Sequence, residues 1–452
     1  VFSFSLCTKL FHFITFYAKI AIMNIININD TSNKLFYIGG VVRDELLGKQ
    51  SIDIDITYVG NAIEYCSKFG EVIQVNPDFG TVRVKITTNP LPNFSHSNSD
   101  NGEMLPSAQS TDRVTRIASA LRFPLSHKER GLNVIVDFAS TRSESYPKKG
   151  HLPVVEKIGC SLKEDVLRRD FTINALAKSI TTGEIVDYVG GLKDLKNKKL
   201  RVLHDNSFID DPTRIIRGLK FAMRFDFELE EHTKKLQDEY LKNINYDMSY
   251  KRIKKELIET FNAPLSNATK EYKKQRTFEK FINEKIYKLV TPNDVGIPSI
   301  NIEELIEKYC TPHPNPLPQG ARGIEANLWL IYVGVLKDLS RLPLTKIEQK
   351  ILDDIPQNIL NSDFELYKTF ENARIETILL YAILKDEKGA KHYLDNLRNI
   401  KISINGKDLQ NLGISPSPQY QKIFDEVLKA KLQNPKITKE DELKIAKSYS
   451  SC

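Results

Sequence analysis

Cysteine is scarce in this chain of 452 residues: there are five, an odd number, and no two stand in C-x-x-C spacing. That excludes a disulfide framework and a cysteine zinc site, and it suits a reducing, cytoplasmic compartment. Histidine is thinly spread as well. His12, His96, His127, His151, His204, His232, His313 and His392 are scattered, so each reads as structural or exposed, and the histidine-aspartate set of a metal phosphohydrolase domain is not expected. No internal repeat of steady period occurs, which argues against a solenoid.

Long uninterrupted apolar runs are also lacking. VFSFSLCTKLFHFITFYAKIAI opens the chain, but Lys9 and Lys19 break it and no clean small-residue cleavage site follows. With Met23 just before the first patterned segment, residues 1–22 read as upstream sequence outside the fold, and no membrane association is expected. What is present is an ordinary globular composition, 41% apolar and 27% charged, long enough for two or three cores. The formal charge of +7 is modest, yet basic residues crowd KEYKKQRTFEKF, NLRNIKISINGKDL and EVLKAKLQNPKITKE. Such runs are either solvated helix faces or surfaces able to meet a polyanion.

Between residues 34 and 187, LFYIGG, IDIDITYV, TVRVKI, NVIVDFAS and GEIVDYV read as strands and GNAIEYCSKFG as a crossing helix. A Ser-, Asn- and Pro-rich stretch at 88–131 reads as an insertion, because it is too long for a hairpin loop and carries no sustained period. Beyond about Phe208 helical periodicity takes over, broken by TPHPNPLPQGARG at 311–323. The expected class is α+β, a mixed-sheet head followed by helices.

Within LFYIGGVVRDELLGKQSIDIDITYVG, alternate residues of a strand share a face, so Asp53 and Asp55 project together. Two such carboxylates repel unless a hard cation joins them, and Mg²⁺ is usually held by one or two carboxylates plus substrate phosphates. Gly39 and Gly40 permit positive φ and leave room for phosphate oxygens beside backbone N–H groups, and Arg43 adds a fork of donors. Alone, Gly-Gly is an ordinary turn and D-x-D a surface feature; together and in this order they are far more restrictive.

The stretch resembles the catalytic motif of the tRNA nucleotidyltransferase and poly(A) polymerase family, within the polymerase-β-like nucleotidyltransferases. The likeness continues through LRRDFTINALA and DDPTRIIRGLKFAMRF in the family's order and covers roughly residues 34–260, with a weaker echo in GKDLQNLGISPSPQYQKIFDEVLKAKL. It implies a head at 34–205, a neck at 206–265, a body at 266–400 and a tail at 401–452, preceded by an extension at 1–33. It also implies phosphoryl transfer with two metals, Asp53 and Asp55 holding Mg²⁺ and Asp137 of VIVDFAS a candidate third carboxylate. A turn-capping or surface role for Asp137 stands beside that.

By position in the motif, Arg169 and Asp170 match residues that touch nucleotide phosphates and sugar, with Arg168 beside them and Asn174 supporting the turn, and Phe171, Ile173, Leu176 and Ala177 are expected to pack inward as a helix. A structural Arg-Asp pair is the bland alternative. In DDPTRIIRGLK, Asp211 reads either as a helix N-cap or, with Arg214 on one helix face, as a base reader. Cytosine and adenine both present an amino donor beside a ring-nitrogen acceptor, which a carboxylate and a guanidinium complement. Arg217 and Lys220 continue the row. Asp210 stands where the family usually has Glu, and Lys220 where it has Arg, substitutions expected to alter rate more than nucleotide identity.

The resemblance thus implies addition of C, C and A to a tRNA 3′ end from CTP and ATP, the acceptor stem being gripped through shape and backbone. A poly(A) polymerase, a CC-adding or A-adding partial enzyme, and a catalytically silent RNA-binding module are the alternatives. The first is disfavoured because VNPDFGTVRVKI replaces the basic, aromatic run expected there. The motifs leave oligomeric state open.

Overall fold

The structure, a computed structural model, describes residues 30, 32–49, 55–87, 133–262, 274–310 and 326–448. Expectations for residues 1–22, for Asp53 and for the insertions at 88–131 and 311–323 lie outside the described residues. The chain divides into two compact units, Val1–Asp211 with Phe227–Leu236, and Pro212–Asp226 with Gln237–Cys452.

In the first unit, the head, the strands are β1 (Leu35–Ile38), β2 (Asp55–Tyr58), β3 (Glu71–Asn76), β4 (Thr81–Thr87), β5 (Asn133–Ser140), β6 (Arg142–Ser145), β7 (Val154–Ile158), β8 (Ala177–Ser179) and β9 (Ile185–Val186). Seven of them form one sheet in the order β3-β4-β5-β2-β1-β8-β9, while β6 and β7 pair separately. Every neighbour in the large sheet is antiparallel except β2 with β5.

Period-two alternation explains the layering. Leu35, Ile56, Val82, Val84, Val136 and Phe138 share one face and pack with Ala62 and Cys66 of helix α2 (Ala62–Cys66), which follows α1 (Gly40–Leu46). Full burial of each large apolar side chain contributes about 1.5–3 kcal/mol. Ile38 and Ala177 point the other way, onto Leu162 and Val166 of α3 (Leu162–Leu167). α3 starts with a capping box in which Ser161 and Glu164 satisfy each other's backbone N–H groups.

Two elements differ from the sequence reading. EVIQVN forms the edge strand β3, although Val72, Ile73 and Val75 are exposed and do not alternate cleanly. RDFTINALA was expected to pack inward as a helix; its Phe171, Ile173, Leu176 and Ala177 are all buried, but on a 3-10 turn (Thr172–Asn174) leading into β8. Asp170 Oδ1 accepts from Phe171 N at 2.8 Å and Asn174 Nδ2 at 2.9 Å, closing a local turn in competition with a helical ladder.

The second unit is helical: α4 (Thr213–Phe225), α5 (Tyr250–Asn262), α6 (Lys274–Asn283), α7 (Ile302–Cys310), α8 (Leu328–Val333), α9 (Lys346–Asp353), α10 (Asp363–Phe370) and α11 (Ile375–Leu384), with further helical segments between. Its core is aromatic, Phe261 stacking on Tyr332 at 5.0 Å and meeting Phe281 edge-on at 5.8 Å. Toward the end, α12 (Gln419–Gln433) and α13 (Lys439–Ser448) enclose a small core of Ile404, Leu409, Ile423, Val427 and Ala446. The fully buried Glu442 accepts there from Ser403 N (2.6 Å), Ile404 N (3.0 Å) and Lys431 Nζ (2.5 Å). Lys431 therefore serves the interior of this module. No helix among the described residues is long and apolar enough to cross a membrane.

Candidate active site

Strand register builds the centre of the site. Asp55 of β2 pairs with Asp137 of β5, Asp137 pairs with Arg83 of β4, and Arg83 pairs with Gln74 of β3. Paired residues on neighbouring strands share a face, so these four form a row across the sheet. The row lines a cavity of about 420 Å³, whose wall is completed by Arg142, Arg168 and Arg169. Asp53 precedes the described part of β2. Asp137, expected to approach Asp55, does so in direct register, but Arg83 holds both its oxygens, Nε to Oδ1 at 2.7 Å and Nη2 to Oδ2 at 3.0 Å.

The remaining arginines are tied to two carboxylates. Arg168 donates to Asp165 Oδ1 from Nε at 2.9 Å and Nη2 at 2.8 Å and to Glu144 at 3.1 Å; Arg142 reaches Glu144 at 2.7 Å, and Arg169 reaches Asp165 Oδ2 at 3.2 Å. Burial alone would raise the Asp165 carboxyl, but Arg169 and Arg168 outweigh it and hold the group below the usual carboxylate range. Arg169 Nε is buried without a hydrogen-bond partner. A buried donor left in that state costs free energy, which a phosphate or ribose oxygen would recover.

The Gly-Gly turn is placed by β1 and α1. Gly39 has φ +74° and donates its N–H to Leu176 O at 3.0 Å, and a Cβ there would lie 2.8 Å from Arg169 Nη1. Glycine is thus needed at 39 for conformation and for closeness to an arginine. Gly40 differs from the expectation of positive φ: it is the first residue of α1, and a Cβ would meet Arg43 at an ordinary 3.5 Å.

Arg43 was expected to fork toward phosphate. It is buried instead, with Nε and Nη2 on Asp44 Oδ1 at 2.8 and 2.7 Å and Nη1 on Asn174 Oδ1. Asn174 in turn donates to Asp170, so a polar chain Asp44, Arg43, Asn174, Asp170 joins α1 to the turn before β8. Asp170 is likewise buried in that chain.

In DDPTRIIRGLK, Asp211 closes the first unit and Arg214 lies in the second. Asp211 is extended (φ −142°, ψ 91°) and Pro212, with helical angles, leads into α4. Asp211 and Arg214 are both buried, and Asp210 is bound to Lys149 Nζ at 2.5 Å. Arg217 and Lys220 face α5 and pair with its Glu256 at 3.4 and 2.9 Å; Lys220 also meets Glu259 at 2.8 Å.

Two carboxylates in register, open to a cavity, offer the hard oxygen donors that a divalent cation takes together with phosphate oxygens. Among the described residues no group of three or more His, Cys, Asp or Glu could hold a metal by itself. The donors present fit an ion that is completed by a nucleotide. One His-Asp dipeptide does occur, His204-Asp205, and Asp205 is bound to His232 Nε2 at 2.8 Å on the surface.

Residues 35–109 and 111–201 match the model of the poly A polymerase head domain. In sequence the chain is similar to members of the tRNA nucleotidyltransferase and poly(A) polymerase family. An A-adding tRNA nucleotidyltransferase of Aquifex aeolicus is 39% identical over 45% of this chain and 20% of its own length. One of the same description from Geobacter sulfurreducens is 27% identical over 91% of this chain and 44% of its own length. This chain therefore spans well under two thirds of either relative. A solved CCA-adding enzyme in an apo form shares the fold, with TM-score 0.67 and 23% identity over 94% of this chain and 95% of that one.

Sequence reasoning missed Arg83, Arg142 and Gln74. Arg83 was findable, because in TVRVKI Arg83 and Lys85 are the charged positions on the face opposite the buried Val82 and Val84, and of the two it is Arg83 that falls beside Asp137 once the strands pair. Arg142 follows Asp137 by five residues across a bend between β5 and β6, a relation without sequence period.

Proposed function

We propose that this chain is a template-independent tRNA nucleotidyltransferase that completes CCA at the 3′ end of tRNA from CTP and ATP, releasing pyrophosphate. The observation that carries the reading is the in-register Asp55–Asp137 pair opening on a cavity walled by arginines. Asp53, Asp55 and Asp137 would hold Mg²⁺, in a two-metal arrangement, with nucleotide phosphates completing its shell. A bound divalent ion supplies Lewis-acid stabilisation of charge on the transferring phosphoryl group.

The chain's own residues position and neutralise. Arg168 and Arg169, backed by Asp165, present preorganised cationic donors to the triphosphate, and Arg142 completes that wall. Gly39 keeps the strand-to-helix turn narrow so that phosphate oxygens can approach the backbone. Arg43, Asn174 and Asp170 hold the turn's shape. Asp211 accepts from the exocyclic amino group of cytosine or adenine and Arg214 donates to the ring nitrogen, which leaves guanine and uracil mismatched. Arg217 and Lys220 support that helix through Glu256. Division into head, neck, body and tail accompanies this reading, with the acceptor stem held by the helical parts.

A second reading is favoured by the names of the two relatives: addition of the terminal A alone, to tRNA already ending in CC. One assay separates the readings. Purified protein with Mg²⁺ is given tRNAs ending before, within or just short of CCA, with each nucleoside triphosphate supplied separately. Incorporation of C and then A, followed by arrest, is expected. Incorporation of A only onto CC ends supports the partial enzyme, long A tails a poly(A) polymerase, and RNA binding without incorporation a silent module. Asp55→Ala is expected to cut transfer by at least about a hundredfold while RNA affinity stays near wild type; retained transfer would overturn the assignment.

A further inference from the structure

We infer that Arg83 sets the charge balance of the carboxylate row, so that it weakens binding of a bare divalent cation and strengthens binding of a triphosphate. This rests on the nucleotidyl-transfer reading above. Four arginines line the cavity, and three of them, Arg142, Arg168 and Arg169, pair with Glu144 and Asp165. Arg83 is paired with a carboxylate of the row itself, Asp137. It does so as a direct cross-strand neighbour, and Asp55 stands in register on the other side of Asp137.

Strands lie about 4.8 Å apart, so the guanidinium is within one or two strand spacings of any cation that Asp55 and Asp137 hold. An ionised carboxylate offers roughly four acceptor positions, of which Arg83 takes two. A cation can therefore still approach Asp137, but against a fixed positive charge. Phosphate oxygens arriving in the same cavity meet the reverse field. Both partners are half exposed, 45% for Arg83 and 56% for Asp137, so the pair is weak enough to rearrange when a ligand arrives. Arg83 thus makes the site prefer a metal together with its triphosphate over the metal by itself.

The test measures two ligands separately on the full-length chain. Mn²⁺ binding is followed by electron paramagnetic resonance at low salt, and inorganic tripolyphosphate binding by calorimetry in the presence of a chelator, for wild type, Arg83→Ala and Arg83→Lys. Arg83→Ala is expected to bind Mn²⁺ roughly three- to tenfold more tightly and tripolyphosphate weaker by a similar factor, both differences shrinking as salt is raised. Arg83→Lys keeps the charge and is expected to stay near wild type for both. A merely structural role would weaken both ligands together, and that outcome, or unchanged Mn²⁺ affinity in Arg83→Ala, overturns the inference while leaving nucleotidyl transfer standing. If wild type binds neither probe, the transfer reading falls and this inference with it.

Discussion

Arg43 with Asp44 and Arg83 with Asp137 are the same chemical couple at the same closest distance, 2.7 Å. The first pair's side chains are 4% and 3% exposed, the second's 45% and 56%. Burial makes the inner couple a structural joint: its charges have lost water, every donor has a fixed acceptor, and Asn174 extends it to Asp170. Exposure makes the rim couple exchangeable. Motif position alone assigned Arg43 to the ligand and overlooked Arg83, whereas desolvation argues the reverse.

The sharpest way to break this comparison is Arg43→Ala. It removes two hydrogen bonds to the buried Asp44 carboxylate and one to the Asn174 carbonyl, and it is expected to cost about 3–5 kcal/mol of stability, read by denaturant unfolding. A loss under about 1 kcal/mol would mean the inner couple is no joint. Next is Asp165→Asn, which unties Arg168 and Arg169, at about 2–4 kcal/mol near pH 7. Because the folded Asp165 carboxyl lies below its ordinary value of 3.8, its contribution is complete above that value and disappears as pH falls through the folded one. The gap between wild type and Asp165→Asn should therefore close below about pH 4 and be flat between about pH 6 and 8.

Gly39→Ala is expected to cost about 1–3 kcal/mol, since alanine must adopt φ +74° and push Arg169 aside. A Gly40→Ala control should be nearly silent. The smallest effect falls on the rim: Arg83→Ala should change global stability by less than about 1 kcal/mol, even where its ligand affinities move several-fold. A large destabilisation there would erase the distinction between the two couples.

The sheet and its carboxylates were legible because period-two alternation is a local signal. IDIDITYV and NVIVDFAS declare one apolar and one open face, and strands β1, β2, β4 and β5 fall where that pattern puts them. β3 was not legible, since an edge strand half in water has little reason to alternate. Nor was the turn at Asp170, where a side chain outcompetes the helical ladder suggested by Phe171, Ile173 and Leu176. Candidate site residues divide in the same manner. The pattern put Asp55 on the open face of its strand and left Asp137 a candidate, but Asn174, which meets Arg43, and Glu256, which meets Arg217 and Lys220, sit 36 to 131 residues away along the chain, and no local spacing announces them.

Glu442 lends the last helix an importance out of proportion to its length. Two amide hydrogens from the segment at 403–404 and the ammonium of Lys431 converge on that one side chain. A proteolytic nick that frees α13, or a stop codon ahead of it, removes the shared acceptor of all three in a single event and opens the small core to water. A shortened chain should accordingly be degraded as misfolded instead of surviving as a catalyst with a looser hold on its RNA.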